Sequence, residues 1–208
     1  MARKTKQEAQ ATRTLILDTA ERVFEQHGVS GTSLHEIANA AGLTRGAIYW
    51  HFHDKADLFD AMMARARLPL EEMGSLYGAG GANVALPQLR DALVTLLRRI
   101  VADPQMKRVF GIAMHKVEYA GETSALRERH LSARGECLAD LERTLRRAQR
   151  RGELSRRMPV ATAALGLQSL LDGLLQNWML DPGAFDLVKV GAPVIDAYLS
   201  SLAAPQPA

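Results

Sequence analysis

SLHEIANAAGLTRGAIYWHF (residues 33–52) is the stretch from which the fold is read. Ser33-x-x-Glu36 forms a capping box: the hydroxyl accepts from the third backbone N–H while the carboxylate reaches back to the amide of the cap residue. Leu34, Ile37, Ala38 and Ala41 follow at helical spacing, so a short helix is expected to run as far as Gly42. Thr44 then caps a second short helix, Arg45 to about Trp50, with Ala47 and Ile48 facing inward and Arg45, Gly46, Tyr49 and Trp50 reaching outward. Helix, glycine turn and helix is the arrangement in which one helix braces a second one lying in the DNA major groove.

Upstream, Ile16, Ala20, Val23 and Phe24 share one face and predict a helix from about Thr12 to Gln26, closed by Gly28. Downstream, Asp54 caps a helix carrying Leu58, Phe59 and Met62, which Pro69 is expected to kink or end. The glycine-rich stretch Gly74–Pro87 reads as a flexible connection. Helical patterns follow at roughly residues 88–102, 104–120, 124–151, 160–180 and 185–202. Aromatic residues make up only 5% of the 208 and β-branched residues are sparse, which suits packed helices rather than sheets. The expected fold is all-α with about nine helices. A three-helix DNA-binding domain at residues 10–70, with its helix-turn-helix at 33–52, joins a larger helical domain at 71–208.

The rest of the composition excludes several classes. No stretch is long and apolar enough to span a bilayer, and the first residues lack the apolar core of a signal peptide, so the cytoplasm is expected. Cys137 is the only cysteine, which rules out an internal disulfide; a buried thiol is expected there. The formal net charge is only +3 and residues 1–70 are nearly balanced. DNA affinity must therefore come from placement, notably Arg3, Lys4, Lys6 and Arg13 in an N-terminal arm. The arginines between Arg127 and Arg157 are interleaved with Glu128, Glu136, Asp140, Glu142 and Glu153, as on a solvated helix face. There is no phosphate loop, HExxH or nucleophile elbow, so no enzyme and no cofactor are expected. His51 and His53, two residues apart, fall on different helix faces with no third ligand nearby, so no metal site is expected either.

LTRGAIYWHFHDKADLF (43–59) closely resembles the signature of TetR-type DNA-binding domains, and GVSGTSLHEIANAAG (28–42) extends the match. MARKTK at the start, HKVEY at 115–119 and DGLLQNWMLDP at 172–182 are similar to the AcrR-like branch, which represses multidrug efflux pumps. The resemblance implies a homodimeric repressor that binds palindromic double-stranded operator DNA and is released by a small hydrophobic or cationic inducer. A ligand-independent architectural DNA-binding dimer is the alternative. In physical terms, Thr44 and Tyr49 offer hydroxyls to phosphates, Gly46 allows close approach, and Arg45 has the planar fork that suits guanine O6/N7. Trp50 and His51 end the reading helix where the family often places phosphate contacts, Lys55 starts the next helix, and Thr32 and Ser33 are expected to meet phosphate. Core packing is an equal reading for Trp50 and the favoured one for Phe52.

The pattern at 160–180 is apolar on several sides, as in a helix buried on two fronts. Gly166 and Gly173 permit close approach of another helix, and Val194, Ile195, Tyr198 and Leu202 supply a partner surface. The resemblance implies that the last two helices of two subunits form the dimer interface. Pro193 is expected to bend or split the final helix. Leu93, Leu97, Phe110, Met114, Cys137, Leu141, Leu171, Gln176 and Trp178 are candidate lining of a ligand cavity, with Glu118 and Asp172 as its informative carboxylates. Asp172 has three readings: pairing with an arginine, capping a helix or facing a cationic ligand.

Overall fold

The computed structural model describes residues 6–74, 86–118 and 124–204. Nine helices occur among them: α1 (Lys6–His27), α2 (Leu34–Ala40), α3 (Arg45–His51), α4 (Lys55–Gly74), α5 (Leu86–Ala102), α6 (Pro104–His115), α7 (Ser124–Arg150), α8 (Val160–Leu180) and α9 (Leu187–Leu202). The only β pairing among the described residues is an isolated bridge between Leu154 and Ala203. None of the described helices is long and apolar enough to cross a membrane. Most of the glycine-rich connection, residues 75–85, lies outside the described residues.

Four helices depart from the sequence reading. α1 begins at Lys6 rather than near Thr12, because its first turns are polar and carry no apolar period to detect. α4 continues through Pro69 to Gly74, and α9 holds Pro193 inside a single unbroken helix. A proline forfeits one backbone hydrogen bond, and the turns on both sides of each proline keep the helix continuous. α6 stops at His115 instead of reaching residue 120.

The backbone forms two compact units, Met1–Arg67 with Arg108–Arg129 and Leu68–Lys107 with His130–Ala208. In the first, Ile16, Ala20 and Phe24 of α1 meet a core that includes Ile37, Ile48, Phe52, Leu58 and Met62. Gly28, at φ +76°, ends α1 in the left-handed conformation that glycine adopts without strain. A charged cluster joins three helices of this unit around Glu21, which is almost fully buried. Arg65 of α4 donates to Glu21 at 2.8 Å and to Asp18 at 2.6 Å. Arg108 of α6 pairs with Glu25 at 3.3 Å and stands 3.8 Å from Glu21. Burial opposes the charge on Arg65, but its hydrogen bonds to Asp18 and Glu21 outweigh it and raise its pKa.

In the second unit α9 packs on α5 and α8. The contacts depend on two residues without side chains. A Cβ at Gly191 would overlap Leu97, and a Cβ at Gly166 would overlap the hydroxyl of Tyr198, which donates to Ala163 O at 2.9 Å. The end of α9 is tied down by Ser155 N to Leu202 O at 2.8 Å and Ala204 N to Glu153 O at 2.9 Å.

This packing makes Gly166→Ala a sensitive probe. We expect the substitution to cost about 1–3 kcal/mol in chemical denaturation, the range for overpacking a filled site. In a Tyr198→Phe background, where the overlapping oxygen is gone, most of that loss should disappear. An equal loss in both backgrounds would show that the α8–α9 contact is not set by this pair.

Candidate nucleic-acid interface

The helix-turn-helix is held by local hydrogen bonds before any core contact is considered. Ser33, extended at φ −104° and ψ 157°, caps α2: its Oγ accepts from Glu36 N at 3.2 Å, and Glu36 Oε2 accepts from Ser33 N at 2.7 Å. These bonds satisfy amides that a helix start leaves without partners. Ala41 caps the end of α2 and Gly42 follows at φ +68°, with Leu43 N donating to Ala38 O at 2.8 Å. Thr44 then caps α3, its Oγ1 accepting from Ala47 N at 3.2 Å. At the start of α4 the capping is again reciprocal: Asp57 N donates to Asp54 Oδ1 at 2.8 Å and His53 N to Asp57 Oδ2 at 3.0 Å. Backbone hydrogen bonding to Ser33 lowers the Glu36 pKa, and backbone hydrogen bonding to Asp57 lowers that of Asp54.

α3 turns Ile48 fully inward and leaves Arg45, Gly46, Tyr49 and Trp50 outside. Tyr49 is 47% exposed and Trp50 70%, so Trp50 is not a core residue, whereas Phe52 is. The Arg45 guanidinium lies 5.5 Å from the Tyr49 ring centroid, and the Trp50 and His51 rings meet edge to face at 4.5 Å. A Cβ at Gly46 would meet nothing closer than Thr44 Oγ1 at 4.0 Å, so the chain's own packing does not demand a glycine there. A recess of about 370 Å³ opens beside this face, lined by Ser33, Glu36, Tyr49, Asp54 and Lys55 among others. Its two carboxylates are engaged in capping.

Three of the residues singled out in the sequence are engaged within the chain itself. Thr32 is only 3% exposed and its hydroxyl donates to Gly28 O at 2.7 Å, so its side chain closes the α1–α2 turn instead of reaching phosphate. Arg13 belongs to α1 rather than to an arm: it donates to His51 O at 3.1 Å and stacks 4.3 Å from the Phe52 ring centroid, bracing the end of α3. Nothing in the local sequence marks that pairing across 38 positions. Lys55 Nζ donates to Ser30 O at 3.2 Å and Thr32 O at 2.8 Å, which uses two of its three N–H donors. The same turn donates two bonds to residues further along the chain: Val29 N to Lys116 O at 2.8 Å and Ser30 Oγ to Glu118 O at 3.2 Å.

The expected ligand and interface residues divide by position. Phe110, Met114 and Glu118 belong to the first unit and the others to the second. Leu93, Leu97, Leu141, Leu171 and Trp178 are buried, and Lys107 Nζ stands 4.9 Å from the Trp178 ring centroid. Phe110 and Met114 are half-buried, and Glu118 is exposed. Cys137 is exposed, contrary to the expected buried thiol: α7 shows its first half, from Arg127 to Cys137, to solvent wherever its side chains are described. Gln176 and Asp172 also lie on the exposed side of α8, because they fall in the stripe of Leu165 and Ser169 rather than that of Leu171 and Leu175. Partial burial pushes the Asp172 carboxyl above the usual range, with Arg134 and His130 pulling the other way.

Ile195 and Leu202 are buried within the single chain and cannot form a surface for a second copy, and Gly166 is filled by Tyr198 of its own chain. The outward stripe of α9 is instead Val190, Val194, Ala197 and Ser201. Gly173 faces open space.

Comparison with known proteins matches residues 16–62 to the bacterial regulatory proteins of the tetR family and residues 85–204 to the C-terminal region of MAATS-type transcriptional repressors. The chain belongs to the TetR family. It is 40% identical over 189 residues to the HTH-type transcriptional regulator AcrR of Shigella flexneri, covering 91% of this chain and 88% of that protein. The structure of NalD, the secondary repressor of the MexAB-OprM multidrug efflux pump in Pseudomonas aeruginosa, superposes with a TM-score of 0.86 at 32% identity, covering 95% of this chain and 98% of NalD. A SmeT–triclosan complex gives a TM-score of 0.82 at 30% identity over 96% of this chain and 99% of that one; SmeT is a repressor from Stenotrophomonas maltophilia. This TetR-family chain is therefore a DNA-binding transcriptional repressor and not an enzyme.

The caps carry a pH dependence whose sign follows from the lowered pKa values. Glu36 and Asp54 stabilise the helix-turn-helix while ionised, so their contribution is present above the ordinary carboxyl range and is lost as the pH falls through the lowered values. We expect helicity of residues 33–57 to fray first in acid, below about pH 4, in amide exchange followed by NMR. In Glu36→Gln, whose side-chain oxygen still accepts from Ser33 N but does not titrate, the Glu36 share of that acid dependence should vanish. Fraying with the same pH profile in wild type and Glu36→Gln would contradict this account.

Proposed function

We propose that this TetR-family repressor binds a palindromic operator as a homodimer, that a small hydrophobic or cationic molecule releases it, and that the genes it silences encode a multidrug efflux pump. The observation that carries the DNA-reading part is the outward row of Arg45, Tyr49 and Trp50 on a helix whose opposite face is pinned by Ile48. Arg45 reads a guanine edge through its planar fork, and Gly46 leaves room for the DNA backbone. Ser33, Thr44, Tyr49, Trp50 and His51 approach phosphates, joined by the third N–H of Lys55.

Two copies are required because a seven-residue α3 covers one half-site. The apolar residues that α8 and α9 leave exposed support this: Leu165 and Leu180 on one, Val190 and Val194 on the other, with open space at Gly173. Release by a ligand and control of an efflux pump are supported by the relatives, since NalD and SmeT are repressors of such pumps and SmeT has been solved with triclosan. A ligand shifts the equilibrium only if it prefers the DNA-incompatible conformation, by about 1.4 kcal/mol for each tenfold of preference.

Binding titrations over a set of single-base operator variants test the DNA roles. Arg45→Ala should cost about 1–3 kcal/mol at the operator and flatten base preference at one position per half-site. Tyr49→Phe, which removes a phosphate contact, should weaken all sequences alike. Equal flattening by both would overturn the assignment. For the dimer, Leu165→Glu combined with Val194→Glu should cost at least about 2 kcal/mol of association, because charge is buried without a partner. A monomer by sedimentation with weakened operator binding is the expected result; an unchanged dimer would place the interface elsewhere.

A further inference from the structure

Four polar side chains are buried among the described residues: Thr19, Glu21, Thr32 and Gln168. The first three have partners, in Arg22, Arg65 and Gly28 O respectively. Gln168 differs. Its side chain is 6% exposed, and its Oε1 is shut off from solvent with no hydrogen-bond partner. It lies in the middle of the inward stripe of α8, with Ala164 four residues before it and Leu171 and Leu175 three and seven residues after, all buried. Folded proteins avoid such a group, because its desolvation is uncompensated and an apolar residue of similar shape would cost less. An unpaired acceptor kept at a core position of a repressor points to a partner that is not part of the chain.

We infer that Gln168 is a specificity-determining residue of the inducer site, accepting a hydrogen bond from a neutral hydroxyl or N–H on an otherwise apolar ring compound. This rests on the ligand-release reading above and narrows it. The acceptor selects a donor, and the aliphatic neighbours select an apolar body. A neutral donor suits the site better than an ammonium group, since the inward stripe of α8 carries no countercharge. Asp172, one turn on, lies on the exposed side, where Arg134 and His130 favour its charged form against the effect of partial burial.

The test pairs phenols with their methyl ethers: triclosan and 4-phenylphenol against the O-methylated forms, which keep the shape and lose the donor. Calorimetry and operator release are measured on full-length wild type, Gln168→Met and, as a second variant of different shape, Gln168→Leu, together with thermal melts. Wild type should bind each phenol about tenfold more tightly than its ether, the worth of one hydrogen bond to a buried acceptor. The variants should bind phenol and ether alike and melt at the same or a higher temperature, because an unpaired polar group has gone. Full discrimination retained in the variants, or a lower melting temperature with unchanged binding, would overturn the inference and leave a structural or water-bound glutamine. Wild type that binds both members of each pair equally would overturn it as well. If no phenol or ether binds wild type or releases DNA, the inference falls, whereas the broader ligand-release reading falls only if cationic molecules fail to release DNA as well.

Discussion

A helix of seven residues does not hold itself in water, and α2 and α3 are each that long. The DNA-reading face therefore exists only because other groups fix it. Ser33, Thr44 and Asp54 close the helix starts, Ile37 and Ile48 bury the inner faces, and Arg13 holds the far end of α3 through His51 O and the Phe52 ring. Lys55 secures the turn that precedes α2. Arg45, Tyr49 and Trp50 are available to address DNA because the support does not run through their side chains.

The same reasoning explains why residues 108–118 belong with the N-terminal helices rather than with the helices that follow them. Arg108 enters the charge cluster of Glu21 and Glu25, and Lys116 O and Glu118 O accept from the 28–32 turn. A buried carboxylate such as Glu21 costs free energy unless it is paired, and here α4 and α6 both supply an arginine to it. α6 is thus bonded to this unit near both of its ends.

The helix-turn-helix was legible because its signals are local: caps, a glycine turn and a helical period all lie within twenty consecutive residues, 33–52. The all-α class followed from composition for a similar reason. What sequence could not convey was which face of a helix apolar on several sides is inward. Gly166 and Gly173 look alike in sequence, yet Tyr198 fills the space at one and nothing meets the other. Ile195 and Val194 are neighbours of the same hydrophobicity class, and one is buried while the other is exposed. Pairings over long separations, Arg13 with His51 O or Arg65 with Glu21, leave no local trace, and neither does the unpaired end of Gln168.

The chain has two tryptophans, and they occupy opposite environments. Trp50 is largely in water on the reading helix, whereas Trp178 is buried beneath the Lys107 ammonium. Indole emission shifts to the red in water and to the blue in an apolar setting, so the two residues form separable intrinsic fluorophores. Quenching of the red component would follow events at the reading helix, and changes in the blue component would follow repacking in the second unit. The unlabelled protein thus carries its own optical reporter for each unit.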